Sequence, residues 1–204
     1  GSIDQVGETP SCFMKISNYK VLLGSNSPRR EELLSGIDID FEVKVLPDID
    51  ESYPDNLPSE EIAEYVAALK AKAYLTSLQE DELLLTADTI VLLDGKVLGK
   101  PIDKEDAKEM LRALSGKTHR VITGVCLTSI KKQISFSATS EVEFGELSNQ
   151  EIEYYVENYS PMDKAGAYGV QEWIGYIAVK HINGSYYNIM GLPIQRVYRE
   201  LIKF

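Results

Sequence analysis

Apolar and polar residues alternate along the chain with two different periods, which predict interleaved strands and helices. The short apolar run at 20–24 predicts a strand, and a helix is expected from Pro28 to about Ser35, where Gly36 stops it. A second strand is expected at 41–46, because apolar and charged side chains alternate there. The start of the pattern is therefore strand, helix, strand.

Two longer patterns occupy the centre of the chain. Ser59 is expected to cap a helix that runs to about residue 78. Its predicted apolar stripe recurs every three or four residues, at Ile62, Val66, Leu69 and Ala73. The apolar run that follows, at 82–101, predicts a strand, a hairpin turn at Asp94-Gly95 and a short return strand.

The second half of the chain continues the alternation. Its predicted elements are a helix from Asp103 to Ser115-Gly116, strands at 118–130 and 134–147, a helix opened by Ser148, a hairpin at 176–193 and a closing helix at 193–204. Hairpins join several strands, whereas a purely parallel sheet needs a crossover at each step. The expected fold class is α/β, with a mixed β-sheet flanked by helices. Residues 18–204 are expected to form one domain, which could be bilobed around a cleft, and residues 1–17 are interpreted as an N-terminal extension or tag remnant.

Composition and charge narrow the range of partners. The 204 residues include 32 acidic and 21 basic side chains, so the net charge is −11. This charge disfavours DNA, RNA and anionic membranes, although one concentrated basic pocket would suit a small polyanion. Cys12 and Cys126 are far apart, so neither a disulfide framework nor a cysteine zinc site is expected. Without an apolar run of ~20 residues or a visible signal peptide, the expected compartment is the cytoplasm.

The stretch GSNSPRREELL, at 24–34, places Arg29 and Arg30 in the first turn of the first predicted helix. The helix dipole disfavours positive charge at this end. One interpretation is a helix capped by Ser27 whose arginines reach into water and pair with nearby glutamates. The other is an anion site, in which free N–H groups, the hydroxyls of Ser25 and Ser27, and both arginines converge on a phosphate.

Asp88 interrupts an otherwise apolar strand. Such a carboxylate is costly unless it is paired, bound to a metal or placed at an edge. A bulge or a strand-end turn is one interpretation. The other is a carboxylate held at the floor of a cleft, where it could bind a divalent metal or act as a general base.

Other polar residues could join the same site. Lys100 precedes Pro101, which restricts it to an extended conformation suited to a phosphate contact, although a solvated loop lysine is the alternative. Lys72 lies beside the apolar face of its helix. It could join the site, or its aliphatic stem could simply cover apolar surface while its ammonium group reaches water. Glu51 belongs to an acidic loop that is either solvated or a source of a second metal carboxylate. Gln171, in a glycine-rich stretch, could recognise the edge of a base.

Four blocks in order resemble the Maf family of nucleotide pyrophosphatases: SNSPRREELL, TADTIVLLDGKVLGKP, MLRALSGKTHRVITGV and DKAGAYGVQEW followed by INGSYYNIMGLP. The likeness runs from about Val21 to Leu201. It implies a fold like that of inosine triphosphate pyrophosphatases (Maf/Ham1-like), with a central substrate cleft. It also implies hydrolysis of nucleoside triphosphates to the monophosphate and pyrophosphate with a divalent cation, Mg²⁺, Mn²⁺ or Co²⁺.

The resemblance also assigns roles by position. Asp88 matches the proton acceptor, and Arg29 and Arg30 match phosphate or substrate contacts. Glu51, Lys72 and Lys100 match other charged residues of the cleft, and Glu51 and Asp88 are the expected metal ligands. The residues that separate the dTTP/UTP branch from a 7-methyl-GTP branch correspond to Arg29, Thr89 and Gln171, and the sequence is similar to the dTTP/UTP branch.

Alternative functions remain at this point. A non-catalytic nucleotide-binding regulator of septum formation would keep the arginines but would not need Asp88. A nucleic-acid binder is disfavoured by the net charge and the lack of a basic stripe. The resemblance also implies a homodimer.

Overall fold

The computed structural model describes residues 16–204, which are built around one mixed seven-stranded sheet. The strands are β1 (Lys20–Leu23), β2 (Phe41–Val43), β3 (Glu82–Leu93), β4 (Lys96–Leu98), β5 (Thr118–Thr128), β6 (Gln133–Phe144) and β7 (Val179–Asn183). Their order is β2-β1-β3-β5-β6-β7, and β4 pairs with β3 beside this path. β1 is parallel to β2 and β3, and the other pairs are antiparallel. The predicted mixed sheet is confirmed.

Seven α-helices accompany the sheet in the described part of the chain. They are α1 (Pro28–Ser35), α2 (Ile62–Tyr74), α3 (Lys104–Leu114), α4 (Asn149–Tyr159), α5 (Trp173–Ala178), α6 (Tyr186–Met190) and α7 (Ile194–Lys203). Short 3₁₀ turns occupy Ser59–Glu61, Leu75–Ser77 and Ala165–Ala167. The hydroxyl of Ser27 caps α1, the carboxylate of Asp103 caps α3, and Ser148 forms a capping box with Glu151 on α4.

Helix α2 covers one face of the sheet through small side chains. Ala63, Ala67 and Ala71 are fully buried. A Cβ atom at Gly124 of β5 would lie 2.3 Å from the backbone carbon of Ala63, so glycine is required for this close approach. The predicted stripe was wrong in its second half, because the buried face of α2 turns through these alanines and leaves Ala73 exposed.

Three predicted elements need correction. The hairpin expected at 176–193 is instead the end of α5, strand β7 and helix α6. The strand expected at 41–46 ends at Val43, because β1 offers partners only as far as Leu23. The helix expected at 59–78 is α2 with a 3₁₀ turn at each end. The hairpin at Asp94-Gly95 is confirmed, with Asp94 and Gly95 both at positive φ.

The N-terminal extension expected at 1–17 falls outside the described residues except for 16 and 17, and Cys12 lies outside them as well. Within residues 16–204, no helix is both long enough and apolar enough to cross a membrane.

The sheet has an opening along one edge of β3. β1 pairs with β3 only over 82–85, and β4 pairs with it only over 91–93. Among the described strands, none pairs with residues 86–90 on this side. Asp88 and Thr89 lie in the gap, and adjacent strand residues point to opposite faces of a sheet. The gap therefore exposes both faces of β3 at one place.

Candidate active site

A cleft of about 1090 Å³ surrounds the gap in β3. Its walls come from the loop and first turn at 24–30, helix α2, the loop at 163–171 and the end of α6 at 189–191. Gly99 and Lys100, just after β4, line it as well. Ligands of open α/β sheets commonly bind beyond the carboxyl ends of strands, and β1 ends at this cleft.

Asp88 faces α2 and pairs with Lys70. The Lys70 ammonium nitrogen lies 3.3 Å from Oδ1 of Asp88 and 3.5 Å from Oε1 of Glu51. It also donates a hydrogen bond of 2.8 Å to the carbonyl oxygen of Ala87, which the strand gap leaves free. Asp88 occupies a regular strand position opposite Gly124, so the structure contradicts the bulge and strand-end interpretations.

The electrostatics of Asp88 suit a group that accepts protons. Burial raises the pKa of its carboxyl group, and the positive charges of Lys70 and Arg30 offset only part of that rise. A general base is most effective when its pKa approaches the working pH, so a raised pKa favours this role over that of a passive counter-ion.

Arg30 turns inward rather than into solvent. Its Nε donates to the carbonyl oxygen of Gly191 at 2.8 Å, Nη2 donates to Thr89 Oγ1 at 3.0 Å, and Nη1 lies 3.5 Å from Ser25 Oγ. Burial lowers the pKa of the guanidinium, and the negative charge of Asp88 opposes this effect. Arginine remains charged in any case, so the cleft contains a desolvated positive group.

Arg29 is held by the opposite wall. Its Nη1 lies 3.2 Å from Oδ2 of Asp163, whose Oδ1 lies 3.0 Å from the ammonium group of Lys164. Lys164 in turn lies 3.4 Å from Glu172. Burial would raise the pKa of Asp163, but its hydrogen bonds with Lys164 and Arg29 outweigh burial and lower it. Neither arginine pairs with the glutamates of its own helix, so the interpretation of solvated arginines was wrong.

The other predicted residues lie around the same cleft. Ser27 caps α1, and its backbone N–H donates to Ser25 Oγ. Lys100 lines the cleft mouth and is exposed. Gln171 lines the loop side, and its Oε1 atom is shielded from solvent without a hydrogen-bond partner among the described residues. A buried acceptor without a donor is costly, which suggests that a ligand supplies one.

The placement of Lys72 in the cleft was wrong. Lys72 is exposed and lines a shallower groove with Leu69 and Ala73, outside the cleft of Asp88. Lys70 occupies the expected place. It follows Ile62 and Val66 at intervals of four residues, so all three lie on the same side of α2.

Glu51 and Asp88 have the chemistry of a divalent-cation site. They are carboxylates on both sides of one ammonium group, and hard cations prefer oxygen ligands. Residues 16–204 contain no group of three or more His, Cys, Asp or Glu side chains that could hold a metal alone. Mg²⁺ is often bound by one or two carboxylates with substrate phosphates and water, so the residues fit a cation that arrives with a triphosphate.

Sequence reasoning missed Lys70, Asp163 and Lys164. The spacing from Ile62 and Val66 could have found Lys70. The ion pairs of Asp163 and Lys164 depend on the approach of a loop more than 130 residues away from Arg29, and no local pattern signals such a contact.

Comparisons with known proteins show which family the chain resembles. Residues 20–204 match the family model described as Maf-like protein. The dTTP/UTP pyrophosphatase of Bacteroides thetaiotaomicron is 63% identical over 188 residues, which cover 92% of this chain and 97% of that protein. The dTTP/UTP pyrophosphatase of Phocaeicola vulgatus is 61% identical over 188 residues, with the same coverage of 92% and 97%.

A solved structure shares the fold at low sequence identity. The Ham1 protein of Staphylococcus aureus has a TM-score of 0.53 and 17% identity, and the match covers 89% of this chain and 97% of that one. This likeness concerns the fold alone. Since the family model spans nearly all the described residues and the relatives exceed 60% identity, the chain belongs to the Maf-like protein family.

Proposed function

We propose that the protein is a nucleoside triphosphate pyrophosphatase that hydrolyses dTTP and UTP to the monophosphate and pyrophosphate. The observation that carries this proposal is Asp88, a partly buried carboxylate with a raised pKa at the open edge of β3, facing a cleft with several cations. The cations that line the cleft are Arg29, Arg30, Lys70, Lys100 and Lys164. Relatives that carry the name dTTP/UTP pyrophosphatase support the choice of substrate.

The reaction follows from this arrangement. A water molecule beside Asp88 attacks the α-phosphorus and transfers a proton to the carboxylate. The new P–O bond forms as the bond from the α-phosphorus to the bridging oxygen breaks, and pyrophosphate leaves with that electron pair. Arg30 and Lys70 stabilise the negative charge that accumulates on the leaving group, since phosphoryl transfer depends mainly on positioning and electrostatics.

A divalent cation such as Mg²⁺ would be held by Glu51 and Asp88 and would neutralise phosphate charge when bound. Lys70 lies between the two carboxylates and keeps them close together before the substrate enters.

Recognition of the base is assigned to the loop that carries Gln171. Uracil and thymine both present an N3–H donor between two carbonyl acceptors. The amide oxygen of Gln171, which needs a donor, can accept from N3–H while its NH₂ group donates to a carbonyl. With the amide in this orientation, the N3 acceptor of cytosine would face the amide oxygen and its N4 amino group would face the NH₂ group, which favours UTP and dTTP over CTP.

Measuring pyrophosphate released from a panel of nucleoside triphosphates tests the proposal. UTP and dTTP should react fastest, and D88N should lower kcat by about 10²–10⁴-fold while nucleotide affinity stays within a few-fold of wild type. The control is D94N, at the exposed turn that ends the same strand, which should retain activity. Rates near wild type in D88N would overturn the role of Asp88.

The same assay of pyrophosphate release distinguishes the enzyme from a purely regulatory protein of septum formation. A non-catalytic nucleotide sensor would bind UTP or dTTP without releasing pyrophosphate and would tolerate D88N. The relatives that carry the name dTTP/UTP pyrophosphatase support the enzyme as the favoured function.

The proposal extends to a cytoplasmic homodimer without nucleic-acid partners. Exposed Tyr176 and Tyr187 lie beside Tyr186 and offer an aromatic surface to a second copy, and the net charge of −11 opposes nucleic acid. Light scattering coupled to size exclusion would detect the dimer. A monomer at all accessible concentrations would overturn this part of the proposal.

A further inference from the structure

Arg30 has an unusual set of partners for a desolvated cation. Its three hydrogen bonds go to neutral oxygens, those of Gly191, Thr89 and Ser25. Within the described residues it forms no ion pair, whereas Arg29 and Lys70 each pair with a carboxylate. A guanidinium group has five N–H donors, so one N–H on each terminal nitrogen remains for a phosphate. Neutral acceptors orient Arg30 without neutralising it.

The hydroxyl that accepts from Arg30 has a fixed direction. Thr89 Oγ1 lies 2.8 Å from Thr123 Oγ1, and Thr123 Oγ1 lies 3.2 Å from the carbonyl oxygen of Asn188. A carbonyl can only accept, so the single hydrogen of Thr123 points to Asn188. The hydrogen of Thr89 must then point to Thr123. Thr89 is left with lone pairs toward Arg30, which is the arrangement that the guanidinium requires.

Asn188 fixes the position of helix α6, which contacts both Thr123 and Arg30. Asn188 is fully buried, and the two hydrogens of its NH₂ group are shared among three acceptors at 3.0–3.2 Å, the carbonyl oxygens of Val121 and Ala138 and Ser140 Oγ. Helix α6 is thereby fixed on β5 and β6. The same short helix ends at Gly191, whose carbonyl accepts from Arg30 Nε. Two of the three acceptors of Arg30 therefore depend on how α6 is held.

We propose that Thr123 is a positioning residue of this site: its hydroxyl directs the hydroxyl of Thr89 and so aims Arg30 at the triphosphate. Thr123 is fully buried and does not line the cleft, so it acts only through Thr89. The inference rests on the proposed function, because it assigns Arg30 to the leaving pyrophosphate.

Variants of Thr123 test the direction of the hydroxyl chain. T123V keeps the shape of the side chain but removes its hydrogen bonds, and kcat/KM for UTP should fall roughly tenfold. T123S keeps the hydroxyl and should stay within about twofold of wild type. The matched control is T128V, on the same strand, where Thr128 is equally buried and accepts a hydrogen bond from Gln133 far from the cleft. It should lose thermal stability like T123V but retain its activity.

A double-mutant cycle separates positioning from general damage. In an R30A background, T123V should change kcat/KM by less than about twofold, because the group that it aims is gone. The inference would be overturned if T123V lowered kcat/KM tenfold both with Arg30 present and in R30A. It would also be overturned if T123V had no effect on kcat/KM in the protein that keeps Arg30. If T123V does not fold, T123A is measured instead, with Arg30 and with R30A, in the same double-mutant cycle. Failure of wild type to release pyrophosphate would instead overturn the proposed function, so the two failures are distinguishable.

Discussion

Two lysines on α2 allow one sharp comparison. Lys70 contacts Asp88 and Glu51 in the cleft, whereas Lys72 is exposed outside it. K70M removes an ammonium group but keeps an unbranched side chain of similar length, and K72M makes the same chemical change two residues away. Both residues lie within α2, Lys72 in its last turn, and methionine and lysine have similar helix propensities. Any difference between the variants therefore reports the position of the charge.

The geometry sets the size of the expected effect. At the 3.3 Å between Lys70 and Asp88, unit charges attract by about 5 kcal/mol with an effective dielectric constant of roughly 20. Part of this attraction offsets the desolvation of the charges. Loss of one preorganised electrostatic donor commonly costs about 2.7–4 kcal/mol in the transition state, so kcat/KM of K70M should fall roughly 100- to 1,000-fold. K72M should stay within about twofold, as surface substitutions change free energies by about 0.5 kcal/mol or less.

The pH dependence provides an independent measurement. Lys70 lowers the pKa of Asp88 against the larger effect of burial, so K70M should raise that pKa further. The base acts as a carboxylate, so kcat/KM rises with pH through this pKa. The acid limb of the profile should therefore move to higher pH in K70M and remain in place in K72M.

Pyrophosphate release from UTP, followed across the acid and neutral range for both variants and wild type, measures both effects. The position of the acid limb is independent of the maximal rate, so a slow enzyme still gives a usable profile. A K72M enzyme as impaired as K70M, or an acid limb that stays in place in K70M, would refute the assignment of Lys70.

Two further changes test the packing of α2 and the pairing of Arg29. G124A should destabilise the protein by about 1–3 kcal/mol in urea unfolding, because its Cβ would lie 2.3 Å from Ala63. The control is G145A, whose Cβ would meet nothing closer than 3.5 Å. Equal losses of stability in the two variants would contradict the packing argument. D163N frees Arg29 from a largely exposed ion pair worth about 0.2–1 kcal/mol, so KM for UTP should fall by at most about fivefold; a rise in KM would contradict competition for Arg29.

Local chemistry predicted most of the fold. The caps at Ser27, Asp103 and Ser148 mark helix starts because each satisfies a backbone donor within three residues. The region at 176–193 failed for the opposite reason. Helix α6 has only five residues, too few to be stable alone, and it is held by the hydrogen bonds of Asn188 to β5 and β6. The cap at Ser185 is a local signal for this helix, but it does not distinguish so short a helix from the return strand of a hairpin.

Some residues of the candidate site could likewise be predicted from local chemistry, and others could not. Arg29, Arg30 and Asp88 stand out in the sequence because each is costly where it lies. Lys70 does not, because a lysine on an amphipathic helix is ordinary, and only the phase of the helix decides which lysine faces the cleft. The apolar pattern of α2 gave the wrong phase in its second half, since the buried face there continues through Ala67 and Ala71 to Tyr74 rather than through Leu69 and Ala73. The resemblance assigned Lys72 to the cleft, and the phase of α2 places Lys70 there instead.

The two arginines at the start of α1 act differently despite being neighbours. Each is disfavoured by about 0.3–1 kcal/mol at a helix N-terminus, so the fold must compensate for both. Arg29 is compensated by the charge of Asp163, and a phosphate that takes the same N–H donor must displace that carboxylate. Arg30 is compensated by three neutral oxygens, and its charge remains available. A triphosphate can therefore engage Arg30 without breaking an ion pair, whereas its contact with Arg29 competes with Asp163.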